Sequence, residues 1–296
     1  MRIASLVPSS TELLFALGLG DEVVAVTHEC DYPAGAAELP HLSETVIPPG
    51  LSPSGIDAEV KRLVGRGEPL YRLKADVLEE VRPDLIVAQD VCAVCAVSYE
   101  DVVSIAARLP GNPAVLRQDP TTLAEVMDNA GEVAEAAGRP ELGRALRASM
   151  EARLAAVERA VGGRECPSVL ALEWLDPPFT GGHWIPEMIR LAGGRDPVAS
   201  PGEKSRETTW AELAGLDPDV AVVMPCGYDS AKAAEQARRY GREIEKTGAR
   251  RVVAVDAAAS FSRPGPRLID GVELLAGILH GYESADGTLA HEFVAS

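Results

Sequence analysis

Short apolar runs alternate with amphipathic stretches along almost the whole chain, and each change of period predicts an element. Residues 2–7 (RIASLV) predict a strand. PSSTELLFALGL predicts a turn and then a helix, with Ser9, Ser10 or Thr11 as its cap and Gly18 as its stop. EVVAVT (22–27) predicts a second strand, and residues 28–40 a loop punctuated by Pro and Gly. Residues 44–74 begin polar and rich in Pro and Gly, then turn helical from about Gly55 to Val64. DVLEEVRPDLIVAQ predicts a helix running into a buried strand, with Pro83 at the junction. SYEDVVSIAARL predicts a helix capped by Ser98, AVLRQD a strand, and TTLAEVMDNAGEVAEAAG a helix. Residues 141–161 carry almost no breakers and are rich in Ala, Leu, Arg and Glu, which predicts one long helix of about 30 Å.

After Gly163 the alternation resumes. SVLALEW predicts a strand, 185–193 a helix, TWAELAGLDPDVAVVMP a helix then a strand, and AKAAEQARRYGREIEKT a helix. RVVAVDA predicts a strand and PRLIDGVELLAGILHG the last helix. The fold class expected is α/β: two Rossmann-like parallel-sheet lobes bridged by one long α-helix. The boundaries expected are 1–120 for the N-terminal lobe, 121–163 for the helical segment and 164–296 for the C-terminal lobe. EEVRPDLIVAQ (79–89) and AGLDPDVAVVMP (214–225) rhyme across the halves. In such sheets ligands bind beyond the carboxyl ends of strands, so the loops after Gln89 and Met224 are candidate binding walls.

Composition narrows the function. A net charge of −17 argues against a nucleic-acid partner and an anionic membrane surface. No apolar run approaches the ~18 residues of a membrane span. The N-terminus shows neither a basic-then-apolar leader nor a lipoprotein cysteine, so the chain as given is expected to be cytoplasmic, or extracytoplasmic if a leader was trimmed. There is no GxSxG, HExxH, Walker loop or GxGxxG, and no carboxylate pair stands out, so an enzyme is not expected. Aromatics make up only 4%, yet WLDPPFTGGHWIPEM (174–188) gathers two of the three Trp, a Phe, a His and three Pro. Aromatic faces supply contact area at low entropic cost, so Trp174, Phe179 and Trp184 are candidate ligand contacts on a stretch that Pro177 and Pro178 stiffen. Trp210, on a helix, reads as core.

SLVPSSTELLFALGLGDEVVAVTHECDYP, the PPFTGG phrase, the two Pro-Asp strands and SRPGPRLIDGVELLAGIL together resemble the substrate-binding proteins of cobalamin and siderophore ABC importers, most closely the cobalamin-binding branch. The resemblance covers nearly the whole chain. It implies a class III periplasmic-binding-protein-like, helical-backbone metal-receptor architecture with a corrinoid held in an interlobe cleft. It further implies that Tyr32, in the loop Asp31–Tyr32–Pro33, offers a ring to the corrin. By the same resemblance Phe179 and Thr180 belong to the second-lobe loop against the ligand, and Arg263 faces it. Relatives dock on an ABC permease through one acidic residue per lobe. The first falls near Asp76, and the second aligns with Ala211, beside Glu212. Residues 44–74 stand as an insertion relative to the importer proteins.

Cysteine and histidine add candidate metal chemistry. Five Cys, an odd number, speak against a disulfide framework. Cys92 and Cys95 form a CxxC after one strand, and His28 and Cys30 follow another. If those strands are neighbours, the four side chains make a site for zinc, a soft metal ion or the cobalt of a corrin. Packing of small thiols and a redox dithiol are the alternatives. His183, in the glycine loop, is a candidate axial ligand to the cobalt, with His28 as a second candidate. Cys166 and Cys226 read as structural. The expected function is a cobalamin or corrinoid-binding protein, a cytoplasmic carrier or sensor. The alternatives are the substrate-binding subunit of a cobalamin, iron-siderophore or haem importer, and a metal or redox protein using the CxxC.

Overall fold

The computed structural model describes residues 1–89 and 98–283. The chain divides into two compact units, 1–120 with 124–149, and 121–123 with 150–296. In chain order the first carries β1 (Ile3–Ser5), α1 (Pro8–Ala16), β2 (Val23–Ala25), β3 (Ser43–Thr45), α2 (Pro53–Gly65), β4 (Tyr71–Leu73), α3 (Ala75–Val81), β5 (Leu85–Gln89), α4 (Tyr99–Ala106), β6 (Ala114–Gln118) and α5 (Leu123–Ala136). Helix α6 (Pro140–Val161) is shared, with residues up to Ser149 in the first unit and from Met150 in the second. Its 22 residues span about 33 Å.

The first unit holds a four-stranded parallel sheet in the order β2-β1-β5-β6. Ala4, Ile86 and Ala88 face Leu42, Leu78, Val102 and Ala106 in one apolar core. Strand β1 therefore separates β2 from β5. The strand ending before His28 is not the neighbour of the one ending before Cys92; their axes lie two strand spacings apart, about 10 Å. Helix α1 starts earlier than its hydroxyls suggest. Pro8 occupies its first turn after Val7, no side chain caps it, and Gly18 at φ +75° ends it. Strands β3 and β4, antiparallel to each other, flank α2 within the segment that reads as an insertion.

The second unit carries β7 (Val169–Leu175), β8 (Pro178–Thr180), α7 (Ile185–Leu191), α8 (Trp210–Leu213), β9 (Val220–Val223), α9 (Ser230–Arg239), α10 (Gly241–Glu245), β10 (Val252–Ala254), α11 (Ala257–Ser260) and α12 (Leu268–His280). Its sheet runs β10-β9-β7-β8, with β8 antiparallel on the edge. Leu170, Leu172, Ala221, Val223 and Ala254 pack with Leu213, Ala233, Ala237 and Ile244. Trp210 packs on this core, its ring stacked at 6.4 Å on Tyr240.

Within this unit Arg153 of α6 binds α12. Its Nε donates to Glu273 Oε1 at 2.8 Å, and Nη2 to Glu273 Oε2 at 2.6 Å and Asp270 Oδ1 at 2.7 Å. Glu273 is buried, so loss of the guanidinium would leave a carboxylate in poor solvent. Arg153→Met is expected to cost about 2–3 kcal/mol in urea unfolding. A double-mutant cycle with Glu273→Ala should show coupling above about 0.5 kcal/mol. Additivity would mean the bidentate pair contributes nothing beyond packing.

Candidate functional site

Because these parallel strands are covered by helices, their chemistry emerges at the carboxyl ends. In the first unit the loop 26–33 follows β2. Tyr32 there is 48% exposed. His28 is half-buried: its Nδ1 lies 2.8 Å from Ser43 Oγ, and its ring is tilted against Tyr71 at 5.7 Å. The Tyr71 hydroxyl donates to Glu29. Burial lowers the His28 pKa, with His41 and Lys74 adding to the effect and Glu29 and Glu44 opposing it. Cys30 points the other way. It is 2% exposed, with its Sγ 3.1 Å from both Thr11 Oγ1 and Thr27 Oγ1. A thiol engaged by two buried hydroxyls is a packing element, so Cys30 does not join His28 in one site. Cys92 and Cys95 lie outside the described residues. Among those described, no group of three or more His, Cys, Asp or Glu is placed to hold a metal ion.

In the second unit β7 turns through the cis Asp176–Pro177 bond into β8. Trp174 is half-buried; its indole N–H donates to Asp176 O, and its ring meets Tyr228 edge-on at 5.5 Å. Tyr228 stands in the loop after β9. That loop is joined to the next: Gly227 N–H donates to Ser262 Oγ, and Ala258 N–H to Tyr228 O. Phe179 is half-buried on β8, and Arg263 is half-buried beside Ser262. Trp174, near the end of β7, and the loops carrying Tyr228, Ser262 and Arg263 thus lie together at one end of this sheet.

Two predicted contacts turn inward. Trp184 is 6% exposed, and its indole N–H donates to Phe261 O at 2.8 Å, tying α7 to the loop after α11. Thr180 is 1% exposed. Both hold the site loops from beneath. His183 sits between them at φ +51°, half-buried, its ring 5.5 Å from that of Trp184. Burial, and then the charge of Lys204, lower its pKa.

A strap, residues 200–208, fixes this glycine loop. Thr180 N–H donates to Arg206 O, Thr208 N–H to Pro178 O, His183 N–H to Glu203 O and Gly202 N–H to His183 O. The approach is close enough that a Cβ on Gly182 would lie 2.1 Å from Ser205 N. Glu173, on β7, joins the two layers: it accepts from Gly182 N–H at 3.0 Å and from the Ser205 hydroxyl. Loss of hydration pushes its pKa up to about 7 against those two donors, with Asp196 adding to the rise. Asp196 is itself raised to about 6 by burial, although Val198 and Ala199 N–H donate to it. Sequence reasoning missed Glu173 and Tyr228. The signals were a lone carboxylate in the apolar run SVLALEW, and a tyrosine in the loop after Met224.

A family model described as periplasmic binding protein matches residues 3–257. The chain belongs to the periplasmic binding protein family. It is 27% identical over 287 residues to an uncharacterized ABC transporter substrate-binding lipoprotein of Bacillus subtilis, covering 93% of this chain and 78% of that one. It is 23% identical over 283 residues to the vitamin B12-binding protein of Vibrio cholerae, covering 92% and 86%. The structure of a periplasmic haem-binding protein from Roseiflexus sp. RS-1 superposes with a TM-score of 0.64 at 23% identity, covering 94% and 95%. These relatives agree with the α/β class III architecture. They give no support to the expectation of a carrier or sensor.

Two outcomes are expected at this site. Gly182→Ala should cost about 1–3 kcal/mol by forcing the loop off Ser205, read by thermal or urea unfolding. Wild-type stability from this site would then be independent of the close approach if the variant were neutral. Glu173 also gives stability a pH slope. Its folded pKa lies above the ordinary carboxylate value, so its contribution is complete in acid and is lost as pH rises to about 7. Glu173→Gln should flatten the fall in urea midpoint across that window; an unchanged slope would show that Glu173 does not titrate there.

Proposed function

We propose that this protein is the substrate-binding component of an ABC importer and that its ligand is cobalamin or a related corrinoid. The observation that carries the reading is the Trp174–Tyr228 pair at the carboxyl end of the second unit's sheet, in a chain whose relatives include a vitamin B12-binding protein. A corrin presents a wide apolar face with polar amides at its rim. Half-buried aromatic rings suit the face. Arg263 and Ser262 suit the rim. The strap, Trp184 and Thr180 hold the loops in place before the ligand arrives, which lowers the ordering cost of binding. Asp76 is the acidic residue we assign to permease docking; the matching position in the second unit holds Ala211, with Glu212 beside it. A haem is the second reading, favoured by the fold shared with a haem-binding protein.

Calorimetric titration with cyanocobalamin, with haemin in a parallel arm, tests both. The expected result is saturable binding of the corrinoid, with Trp174→Ala and Tyr228→Ala each weakening it about tenfold to a hundredfold. Saturable binding of haemin alone would select the second reading, and binding of neither would overturn both.

A further inference from the structure

We infer that Tyr240 is a positioning residue for the ligand surface: its hydroxyl fixes Asp176, and Asp176 in turn sets the ring of Trp174. This rests on reading the Trp174–Tyr228 pair as the surface that meets the ligand. Every group in the chain of contacts belongs to the second unit. Strands β7 and β8 form a hairpin whose last paired residues are Trp174 with Phe179 and Leu175 with Pro178. The returning side of its tip is Pro177 and Pro178. Proline has no N–H, so this side of the tip cannot donate main-chain hydrogen bonds to close the turn. Asp176 supplies the anchor instead. Its carbonyl accepts from the Trp174 indole N–H at 3.2 Å, and its Oδ2 accepts from the Tyr240 hydroxyl at 2.9 Å.

Tyr240 is itself held firmly. At the junction of α9 and α10 its N–H donates to Gln236 O, and its carbonyl accepts from the N–H groups of Glu243 and Ile244. Its ring packs on the core around Leu213, Ala237 and Ile244, stacked on Trp210, with the Arg239 guanidinium 5.7 Å from the ring centroid. Burial, and then the hydrogen bond and charge of Asp176, raise its pKa above the ordinary phenol value, so the phenol keeps its proton and remains the donor. A phenol donating to a carboxylate makes a stronger bond than two neutral partners would. The fixed point of the hairpin tip is therefore a side chain 64 residues away, seated on the core. Trp174 meets Tyr228 at an interplanar angle of 69°. Two rings at an angle offer a flat macrocycle a defined shape only while that angle is kept, and an indole anchored beforehand spares the ligand the cost of ordering it.

The test uses the full chain and reads ring placement and binding separately. The indole N–H resonances of its three Trp are followed by heteronuclear NMR without ligand, with Trp174→Ala assigning the one that matters. Tyr240→Phe keeps the ring against Trp210 and removes the hydroxyl. It should shift the Trp174 resonance and leave that of Trp184, bound to Phe261 O, in place. Asp176→Ala should do the same, whereas Asp176→Asn, which keeps an acceptor oxygen, should hold the Trp174 resonance near its wild-type position. Calorimetric titration with cyanocobalamin, or with haemin if haemin alone binds, should show Tyr240→Phe weakening affinity about threefold to tenfold. In the Trp174→Ala background the same substitution should change affinity by less than about twofold. Thermal melts confirm that each variant is folded. A Trp174 resonance that stays in place in Tyr240→Phe overturns the positioning, whatever the ligand does. A shifted resonance with unchanged affinity overturns its service to the ligand, and a loss of affinity that persists without Trp174 overturns the route through that ring. Binding of neither macrocycle by the wild type overturns the functional reading and with it the ligand role, while the resonance still decides whether Tyr240 sets the ring.

Discussion

A parallel strand with helices on both faces has nowhere to present chemistry except its ends. Each unit of this chain is built on such strands, of three to seven residues. The interiors of β1, β5, β9 and β10 are Ile, Val, Leu and Ala with almost no exposure, while β6, on the edge of its sheet, is partly exposed. Everything that distinguishes one ligand from another is therefore carried by the segments beyond the last residue of each strand. Those segments are long and rich in Pro and Gly, and they have little apolar surface of their own to hold them still. The fold's difficulty is the shape of its loops, and most of the polar detail described above addresses it.

The second unit meets that difficulty with a second layer of backbone. The strap from 200 to 208 donates to and accepts from the hairpin and the glycine loop at four places, and a carboxylate bridges the two layers. Glu173 is an expensive choice, because its hydration is lost and its two donors only partly compensate. A neutral acid at the same position still accepts one hydrogen bond and loses the charge penalty. In the first unit the equivalent steadying comes from neutral groups: hydroxyls around Cys30, and Ser43 against His28.

Much of this was legible in the chain. The alternation of apolar runs with 3.6-period stretches marked the helices and the buried strands, and the breaker-free run marked α6 to within a residue of its start. Strands β3 and β4 were not visible, because SET and YRL are short and only partly buried and carry no clear period. Strand order was not readable either, which is why β2 and β5 were free to be imagined side by side. Trp184 misled for a different reason. A tryptophan between glycines and proline reads as a loop residue, and its burial depends on a carbonyl at Phe261, 77 residues away. Glu173 and Tyr228 matter through Ser205 and Trp174, partners that no local window contains.

The close approach of Gly182 to the strap separates two kinds of residue on one short segment. The loop's path is set by main-chain atoms and by the absence of a side chain. The rings at 174 and 179 are not what holds that path. Exchange of one of those rings would alter what the loop touches without altering where it runs. A descendant of this chain could change its ligand through a handful of half-buried side chains while inheriting the same loop, whereas a single methyl group at Gly182 would close that route.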